Sequence, residues 1–173
     1  MKLLGEITEK DIGISQPSGG EVKYKLRKAA RAVVFDQTGR IALMNVSKRG
    51  YHKLPGGGVE AEEDVAEALR REVLEETGCE IRIMEPVGMT IEYRNARELL
   101  QLSFCFHGEM VGQPGELSLT ELEAENGFRL EWVTLEEARK LLAADAPAEY
   151  HEKFMVARDR ILLAAAKPWS ELG

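Results

Sequence analysis

The sequence has few of the residues that build disulfide scaffolds or zinc clusters. It holds 2 cysteines and 3 histidines in 173 residues. Cys79 and Cys105 each lie in an apolar stretch, which favours packing in the core, and two cysteines make neither a disulfide framework nor a zinc cluster. His52, His107 and His151 are scattered without the spacing of metal ligands, so we assign them no role.

Long apolar runs are also missing. No segment approaches the ~20 apolar residues of a membrane-spanning helix. Residues 1–10 mix charged residues with Leu3 and Leu4, unlike the continuous apolar region of a signal peptide. We therefore expect a cytoplasmic protein with no membrane partner.

The chain is acidic, with a net charge of −7, and it is 44% hydrophobic and 31% charged. This composition is typical of a globular protein rather than a disordered one. An acidic chain is poorly suited to binding nucleic acid or an anionic membrane, so we expect no nucleic-acid partner. If the substrate is a phosphate anion, a divalent cation is the simplest way to offset the protein's own field.

The pattern of apolar residues predicts one α/β domain, residues 29–173, with residues 1–28 as an extension packed on it. Turn signals lie at residues 17–20 and 36–39, a polar loop at 112–127, and an interruption of the fourth strand at 86–88. The predicted strands are residues 22–26, 29–35, 41–46, 79–93, 99–111 and 128–133. The predicted helices are residues 64–77, 135 to about 143, and 149–166.

The first predicted helix carries three glutamates, Glu72, Glu75 and Glu76. Their i, i+3, i+4 spacing places them on one helix face, about 5–6 Å apart, where like charges cost a few tenths of a kcal/mol each. A hard divalent cation with oxygen ligands would offset that repulsion. The alternative is an ordinary solvated acidic helix face.

Three consecutive glycines, Gly56, Gly57 and Gly58, precede this helix. Without side chains they allow the backbone to approach a ligand closely, and they lead into a helix N-terminus, where anions bind favourably. A glycine-rich loop alone is weak evidence, because many hairpins contain one. Together with the acidic helix face, the loop indicates a site for a metal–phosphate complex.

Residues 57–79 resemble the Nudix box of MutT-type hydrolases, Gly-x5-Glu-x7-Arg-Glu-U-x-Glu-Glu-x-Gly-U, where U is apolar. Every fixed position matches, with Val73 and Cys79 at the apolar places. The preceding Leu54 and Pro55 resemble the family as well. The resemblance implies an α/β/α sandwich with a mixed β-sheet. It also implies hydrolysis of the diphosphate linkage of a nucleoside diphosphate derivative, dependent on Mg2+ with Mn2+ as a substitute.

The resemblance also implies roles for the residues of the box. Glu72, Glu75 and Glu76 would bind the metal, with a further ligand from the carbonyl of Gly56 or Gly57. Glu72 and Glu75 would thereby belong to the catalytic residues.

Arg71 would be catalytic by orienting a glutamate of the box, and its i+4 spacing from Glu75 suits an ion pair. Glu63 would have an accessory role near the start of the helix. We expect Val65, Leu69 and Val73 only to pack against the sheet.

We expect the general base to lie outside the box, because a metal-bound glutamate is a poor proton acceptor. The loop at residues 112–127 contains Glu121 and Glu123. We rank Glu121 first as the catalytic base and Glu123 second, because Thr120 and Glu123 can form a helix capping box. The alternative is a solvated acidic loop.

Substrate contacts are predicted from the glycines at 56–58 and from Arg49 and Lys53, which lie between a strand and these glycines. Ordinary surface positions are the alternative for both cations. Elsewhere, we expect Trp132 to lie in the core and Asp159 to form a surface ion pair.

The identity of the substrate is inferred by elimination. Members acting on ADP-ribose tend to carry a proline about sixteen residues after the box, where this chain has Arg94, Asn95 and Ala96. We therefore expect a small-molecule nucleotide, a nucleoside triphosphate in normal or oxidised form, cleaved to a monophosphate and pyrophosphate. ADP-ribose or another nucleotide sugar is the alternative. So is a non-catalytic nucleotide-binding module, although such a module should have lost metal glutamates. Monomer and homodimer both remain open.

Overall fold

The computed structural model describes residues 1–14 and 21–172, and the turn predicted at residues 17–20 lies outside them. Seven strands and four α-helices occur in the described part, with two short 3-10 helices at Asn95–Arg97 and Trp169–Glu171. The strands are β1 (Leu3–Ile7), β2 (Lys25–Phe35), β3 (Ile41–Val46), β4 (Tyr51–Lys53), β5 (Glu80–Arg94), β6 (Leu99–Val111) and β7 (Phe128–Val133). The helices are α1 (Val65–Thr77), α2 (Glu121–Glu125), α3 (Leu135–Ala144) and α4 (Tyr150–Ala165).

All seven strands form one mixed sheet in the order β1-β5-β6-β2-β3-β4, with β7 also paired to β3. The pairs β1–β5 and β2–β6 are parallel, and the other pairs are antiparallel. Strand β2 contains the whole strand predicted at 29–35 and the end of the one predicted at 22–26, of which residues 22–24 are not strand. The segment before it packs on the sheet through β1, while the proposed division at residues 28 and 29 stays a prediction.

The two faces of the sheet pack against different helices because the side chains of β2 alternate. Ala32 and Val34 belong to the cluster that contains Leu69 of α1. Val33 and Phe35 belong to the opposite cluster, which contains residues of α3 and α4. A mixed sheet between helices is the predicted α/β/α sandwich, which is confirmed. Among the described helices, none is long and apolar enough to span a membrane.

Helix α1 is fixed at both ends by its own sequence. The Asp64 side chain accepts hydrogen bonds from the backbone N–H groups of Ala66 and Glu67, each at 2.8 Å, and the Glu67 carboxylate accepts one from the Asp64 N–H at 2.8 Å. Gly78 ends the helix with a φ of 67°, a left-handed conformation that glycine adopts most easily. The helix of the acidic residues therefore has a defined start and end.

The interruption predicted at residues 86–88 is a bulge inside the continuous strand β5. The register with β6 shifts on both sides of Pro86. Gly88 has a φ of 152°, and a Cβ there would lie 2.5 Å from Cγ of Leu4. Glycine at this position therefore leaves room for β1, a short strand that the sequence pattern did not reveal.

Three further features differ from the predictions. β4 was not predicted, and α2 lies within the predicted loop at 112–127, where Thr120 and Glu123 do form a capping box. Asp159 was expected in a surface ion pair, which is wrong. It is fully buried, and it accepts hydrogen bonds from Arg158 Nε at 2.7 Å and from the Leu54 N–H at 2.9 Å. Trp132, by contrast, packs against the core as expected.

Candidate active site

A cavity of about 600 Å³ opens between the sheet, α1, α2 and α4. Its wall includes Gly56, Gly57 and Gly58, which belong to the segment at residues 54–58, here called the glycine loop. The predicted site residues that line it are Arg49, Lys53, Gly56, Gly57, Gly58, Glu72 and Glu76. Two box glutamates, the glycines and both predicted cations thus come together around one space.

The glycine loop lies directly against strand β2. The Ala30 N–H donates to the Gly57 carbonyl oxygen at 2.9 Å, and the Ala32 N–H donates to the Pro55 carbonyl oxygen at 3.1 Å. Gly56 has a φ of 129°, and a Cβ there would lie 2.2 Å from the Ala30 carbonyl oxygen. Position 56 therefore admits only glycine while the loop keeps this contact.

Gly57 brings the loop backbone into contact with a box glutamate. A Cβ at position 57 would lie 2.1 Å from Cδ of Glu72. That carboxylate also accepts a hydrogen bond from Arg71 Nη1 at 2.9 Å. Because Gly57 lacks a side chain, the Glu72 carboxylate can reach the loop and face the cavity.

Arg71 connects three carboxylates. Its Nη2 donates to Glu63 at 2.6 Å, and its Nη1 lies 2.9 Å from Glu72 and 3.4 Å from Glu75. The predicted ion pair with Glu75 is thus present, although the shorter contacts are with Glu63 and Glu72. The hydrogen bond to Glu63 and the attraction of Glu72 raise the pKa of Arg71 despite partial burial, so the cation is permanent.

Glu76 lies inside the protein. Its carboxylate accepts hydrogen bonds from Lys53 Nζ at 2.5 Å and from the Gly56 N–H at 2.9 Å, and it is 2% exposed. Burial raises the pKa of Glu76, while the Lys53 cation and the Gly56 N–H act in the opposite direction. Lys53 also lies 5.1 Å from the ring centre of Phe128, so the pair is enclosed on that side.

Residues 25–154, which include the box, match a model of the NUDIX domain. The chain belongs to the NUDIX family. The match covers more than half of the chain, and it confirms the identification made from the box. The protein is therefore a hydrolase of this family.

Solved structures of other proteins share the fold. A NUDIX hydrolase from Nitrosomonas europaea matches with a TM-score of 0.58 and 23% identity, covering 86% of this chain and 97% of that chain. A MutT NUDIX hydrolase from Burkholderia pseudomallei matches with a TM-score of 0.56 and 22% identity, covering 83% and 99%. The MutT protein from Methanosarcina mazei Go1 matches with a TM-score of 0.55 and 20% identity, covering 80% and 95%. No curated protein sequence matches the chain.

Nudix hydrolases generally use divalent metal ions, and the chemistry of the box fits a hard cation: Glu72 and Glu76 are oxygen donors on one cavity wall. As placed, their carboxylates face Arg71 and Lys53. Within the described residues, no three acidic, histidine or cysteine side chains converge as a metal site. The Gly57 carbonyl oxygen already accepts hydrogen bonds from the Ala30 N–H and from Arg31, so a metal would have to replace one donor there. The metal assignment stays a prediction.

The two candidate bases occupy different positions on α2. Glu121 is exposed and lies outside the residues that line the cavity, whereas Glu123 lines it. The Glu123 carboxylate accepts hydrogen bonds from the Thr120 N–H at 2.8 Å and from its hydroxyl at 2.9 Å. The catalytic role of either residue stays a prediction, and the cavity favours Glu123.

Arg49 lies at the cavity wall in an ion pair that the sequence did not reveal. Its Nε donates to Glu152 of α4 at 2.6 Å, and Glu152 is 3% exposed. This contact raises the pKa of Arg49. Glu152, Met155 and Asp159 lie at i, i+3, i+7 on α4. This helical spacing, which places the three side chains on one face of the helix, was the available signal that acidic residues of α4 face the interior.

Two arginines of β2 at the cavity were also missed, Arg27 and Arg31. Their spacing of four places both side chains on one face of the strand. Arg31 interrupts an otherwise apolar run of buried residues, and an isolated charge in a buried strand was the signal that could have identified it.

Proposed function

We propose that this Nudix hydrolase cleaves the diphosphate linkage of a nucleoside triphosphate in a reaction that needs Mg2+, releasing a monophosphate and pyrophosphate. The observation that supports it is the cavity itself, which is lined by the glycines of the glycine loop together with the carboxylates Glu72 and Glu76 and the cations of β2 and β4. Carboxylates beside cations suit a substrate that arrives as a metal–phosphate complex.

In this proposal Glu72, Glu75 and Glu76 would hold the divalent cation, which when bound neutralises phosphate charge and lowers the pKa of water. Arg71 holds the carboxylates of Glu72 and Glu75 together through its ion pairs with both. These side chains chiefly position the reacting groups and balance charge, as expected for phosphoryl transfer.

The glycine loop has its own part in the proposal. Glycine at 57 leaves the backbone and the neighbouring Glu72 carboxylate open to the substrate. Lys53 balances the charge of buried Glu76 and so opposes the effect of burial, which raises the pKa of that carboxyl.

A proton acceptor for the attacking water is proposed on α2. We place Glu123 before Glu121, because Glu123 lines the cavity and Glu121 is exposed. Glu123 would have to give up its hydrogen bonds to Thr120 in order to accept a proton from the attacking water. Replacing the acting base by glutamine should cost roughly 10²–10⁴-fold in turnover and remove the acidic limb of the pH–rate profile.

The test is a panel of nucleotides incubated with the protein and Mg2+, with products identified by phosphorus NMR. The panel holds nucleoside triphosphates, their oxidised forms, ADP-ribose and other nucleotide sugars. The proposal expects pyrophosphate and a monophosphate from a triphosphate. Cleavage of nucleotide sugars alone would replace the proposed substrate, and no cleavage of any compound with Mg2+ or Mn2+ would contradict the function.

A further inference from the structure

Arg31 is a buried cation that has no carboxylate partner among the described residues. It is 4% exposed and lines the cavity. Its Nη1 donates to the carbonyl oxygens of Ala30 at 2.8 Å and Gly57 at 3.1 Å, while its Nε is buried and has no hydrogen-bond partner among the described residues. No carboxylate of the described chain lies within ion-pair distance of this guanidinium. Burial of an unpaired charge is costly, so a binding partner for Arg31 is expected from outside the chain.

Arg27 lies on the same strand face, at the rim of the cavity. Its Nη1 donates to Gln101 Oε1 at 2.6 Å, an uncharged acceptor. A Cβ at position 58 would lie 2.9 Å from its Nη2, so Gly58 gives the guanidinium room beside the glycine loop. Arg27, like Arg31, has no carboxylate within ion-pair distance in the described chain.

The lysine and the third arginine of the cavity wall, in contrast, are already paired with carboxylates. Lys53 is paired with Glu76 at 2.5 Å and Arg49 with Glu152 at 2.6 Å. Among the arginines and lysines that line the cavity in the described part of the chain, the two arginines of β2 are thus the ones without a carboxylate partner, in a protein whose net charge is −7.

Arg31 keeps its charge at neutral pH. Burial and the nearby Arg158 cation together lower the pKa of Arg31 to about 10, while Asp159, Glu76 and Glu92 act in the opposite direction. Gly57 joins this charge to the box, because its carbonyl oxygen contacts Arg31 and its α-carbon lies beside the Glu72 carboxylate. An anion at the glycine loop would therefore meet Arg31 on the sheet side and the box on the α1 side.

Resting on the proposed function, we propose that Arg31, assisted by Arg27, binds a phosphate group of the substrate and makes the enzyme select nucleoside triphosphates over nucleotide sugars. A guanidinium binds phosphate through paired N–H donors. A terminal phosphate adds roughly two negative charges that a nucleotide sugar lacks. The two uncompensated charges of β2 match that difference.

The first test compares kcat/KM for a nucleoside triphosphate and for ADP-ribose. Arg31→Met should lower the value for the triphosphate by about 10- to 100-fold, as expected for a lost hydrogen-bonded charge, and change the value for ADP-ribose much less. Arg31→Lys should recover part of the loss, and Arg27→Gln should give a smaller loss of the same kind. Lys28→Gln is the matched control, because Lys28 is an exposed cation of β2 on the opposite strand face.

The second test measures binding without catalysis. Calorimetry with inorganic tripolyphosphate and pyrophosphate, in EDTA at fixed ionic strength, should show tighter binding of tripolyphosphate to the wild type. Arg31→Met should remove that preference and Lys28→Gln should keep it. Circular dichroism checks the fold of each variant, and Arg31→Lys and Arg27→Gln test the proposal if Arg31→Met does not fold.

The outcomes separate the two proposals. Equal losses for both nucleotide classes, or an unchanged preference in every arginine variant, would overturn the role of Arg31 and assign it to support of the glycine loop. If the wild type cleaves neither class, the proposed function fails, while the calorimetry still decides whether Arg31 binds phosphate.

Discussion

The two faces of the central sheet differ in the polarity of their contacts with the helices. On the face that packs against α1, the contacts are apolar and join Ala32 and Val34 of β2 to Leu69 and Val73 of the helix. On the face that packs against α4, part of the contact consists of fully buried polar residues, here called the polar layer. Its members are Thr90, Glu92, Gln101, Ser103, Arg158 and Asp159.

Hydrogen bonds join the polar layer to both sides of the active site. Gln101 donates to Glu92 at 2.9 Å and accepts from Arg27 at the cavity rim at 2.6 Å. Arg158 lies 3.8 Å from Glu92 and donates to Asp159 at 2.7 Å. Asp159 in turn accepts the N–H of Leu54, the first residue of the glycine loop, at 2.9 Å.

The apolar face therefore stabilises α1, the helix that carries the box. The polar layer on the other face fixes the position of the glycine loop. An apolar contact tolerates small shifts, whereas a buried polar network has a defined geometry and a high cost when one partner is removed. The two faces should therefore respond differently to mutation, even where the losses of stability are similar.

The largest effect is expected from Asp159→Ala in the polar layer. The substitution leaves the Arg158 cation and the Leu54 N–H buried without their acceptor, which should lower the free energy of unfolding by about 3–5 kcal/mol. The protein that remains folded should also lose kcat/KM, because the glycine loop loses an anchor. Urea unfolding and kinetics well below the melting temperature measure the two effects.

Asp159→Asn is the control for that experiment. It keeps an oxygen for the Leu54 N–H and removes the charge that pairs with Arg158. A smaller loss of kcat/KM than in Asp159→Ala supports the loop anchor. Full activity in both variants would mean that Asp159 has only a structural role.

A second substitution, Leu69→Ala, tests the apolar face. Leu69 is fully buried in the cluster under α1, and its truncation should cost about 2–5 kcal/mol of stability. Because α1 keeps both caps, we expect kcat/KM of the folded protein to stay within a few-fold of the wild type. A loss of activity as large as that of Asp159→Ala would remove the distinction between the faces.

Much of the fold was predictable because its longer elements carry regular patterns. Strand β6 and helix α1 follow periods that a single sequence reveals, and Asp64 and Gly78 mark the helix ends. The short elements β4 and α2 were missed, since a segment of three to five residues contains too little of a period to identify it.

The site was predictable only where its residues are neighbours in sequence. Glycines and glutamates within one box could be placed together. Arg31 was missed although its isolated charge in an apolar strand was a usable signal. Asp159 was expected at the surface because a charged residue usually predicts exposure, whereas its burial depends on distant partners. Asp159 meets Leu54 across a separation of 105 residues, which the sequence pattern cannot show.

The smallest expected effect concerns pH and the edge of the sheet near β4. Ring Nδ1 of His52 lies 3.1 Å from Asp145, and this hydrogen bond raises the pKa of His52 against the effect of burial. The folded pKa thus lies above the unfolded value of about 6.5. The stabilisation should be full below that value and should be lost as pH rises through the folded pKa.

Burial lowers the pKa of His107, so this residue changes the stability with pH in the opposite direction. The contribution of His52 is therefore measured as the difference between the wild type and a variant of His52 alone. Chemical denaturation from pH 5 to 8 should show a stability difference between wild type and His52→Gln that shrinks as pH rises. A difference independent of pH would show that the ion pair with Asp145 contributes nothing.

The placement of the catalytic centre at the glycine loop and α1 is tested most directly by the turnover of the preferred nucleotide by Glu72→Gln under saturating Mg2+. Glu72 is the better choice than Glu76, because loss of Glu76 would also leave buried Lys53 unpaired. Glu62→Gln is the matched control, an exposed carboxylate outside the fixed positions of the box. We predict that Glu72→Gln lowers turnover by at least about 100-fold, in the range of 10²–10⁴ typical for a catalytic group. The fold should be unchanged and the control fully active. Turnover near the wild-type value in Glu72→Gln would contradict the placement of the catalytic centre at the glycine loop and α1.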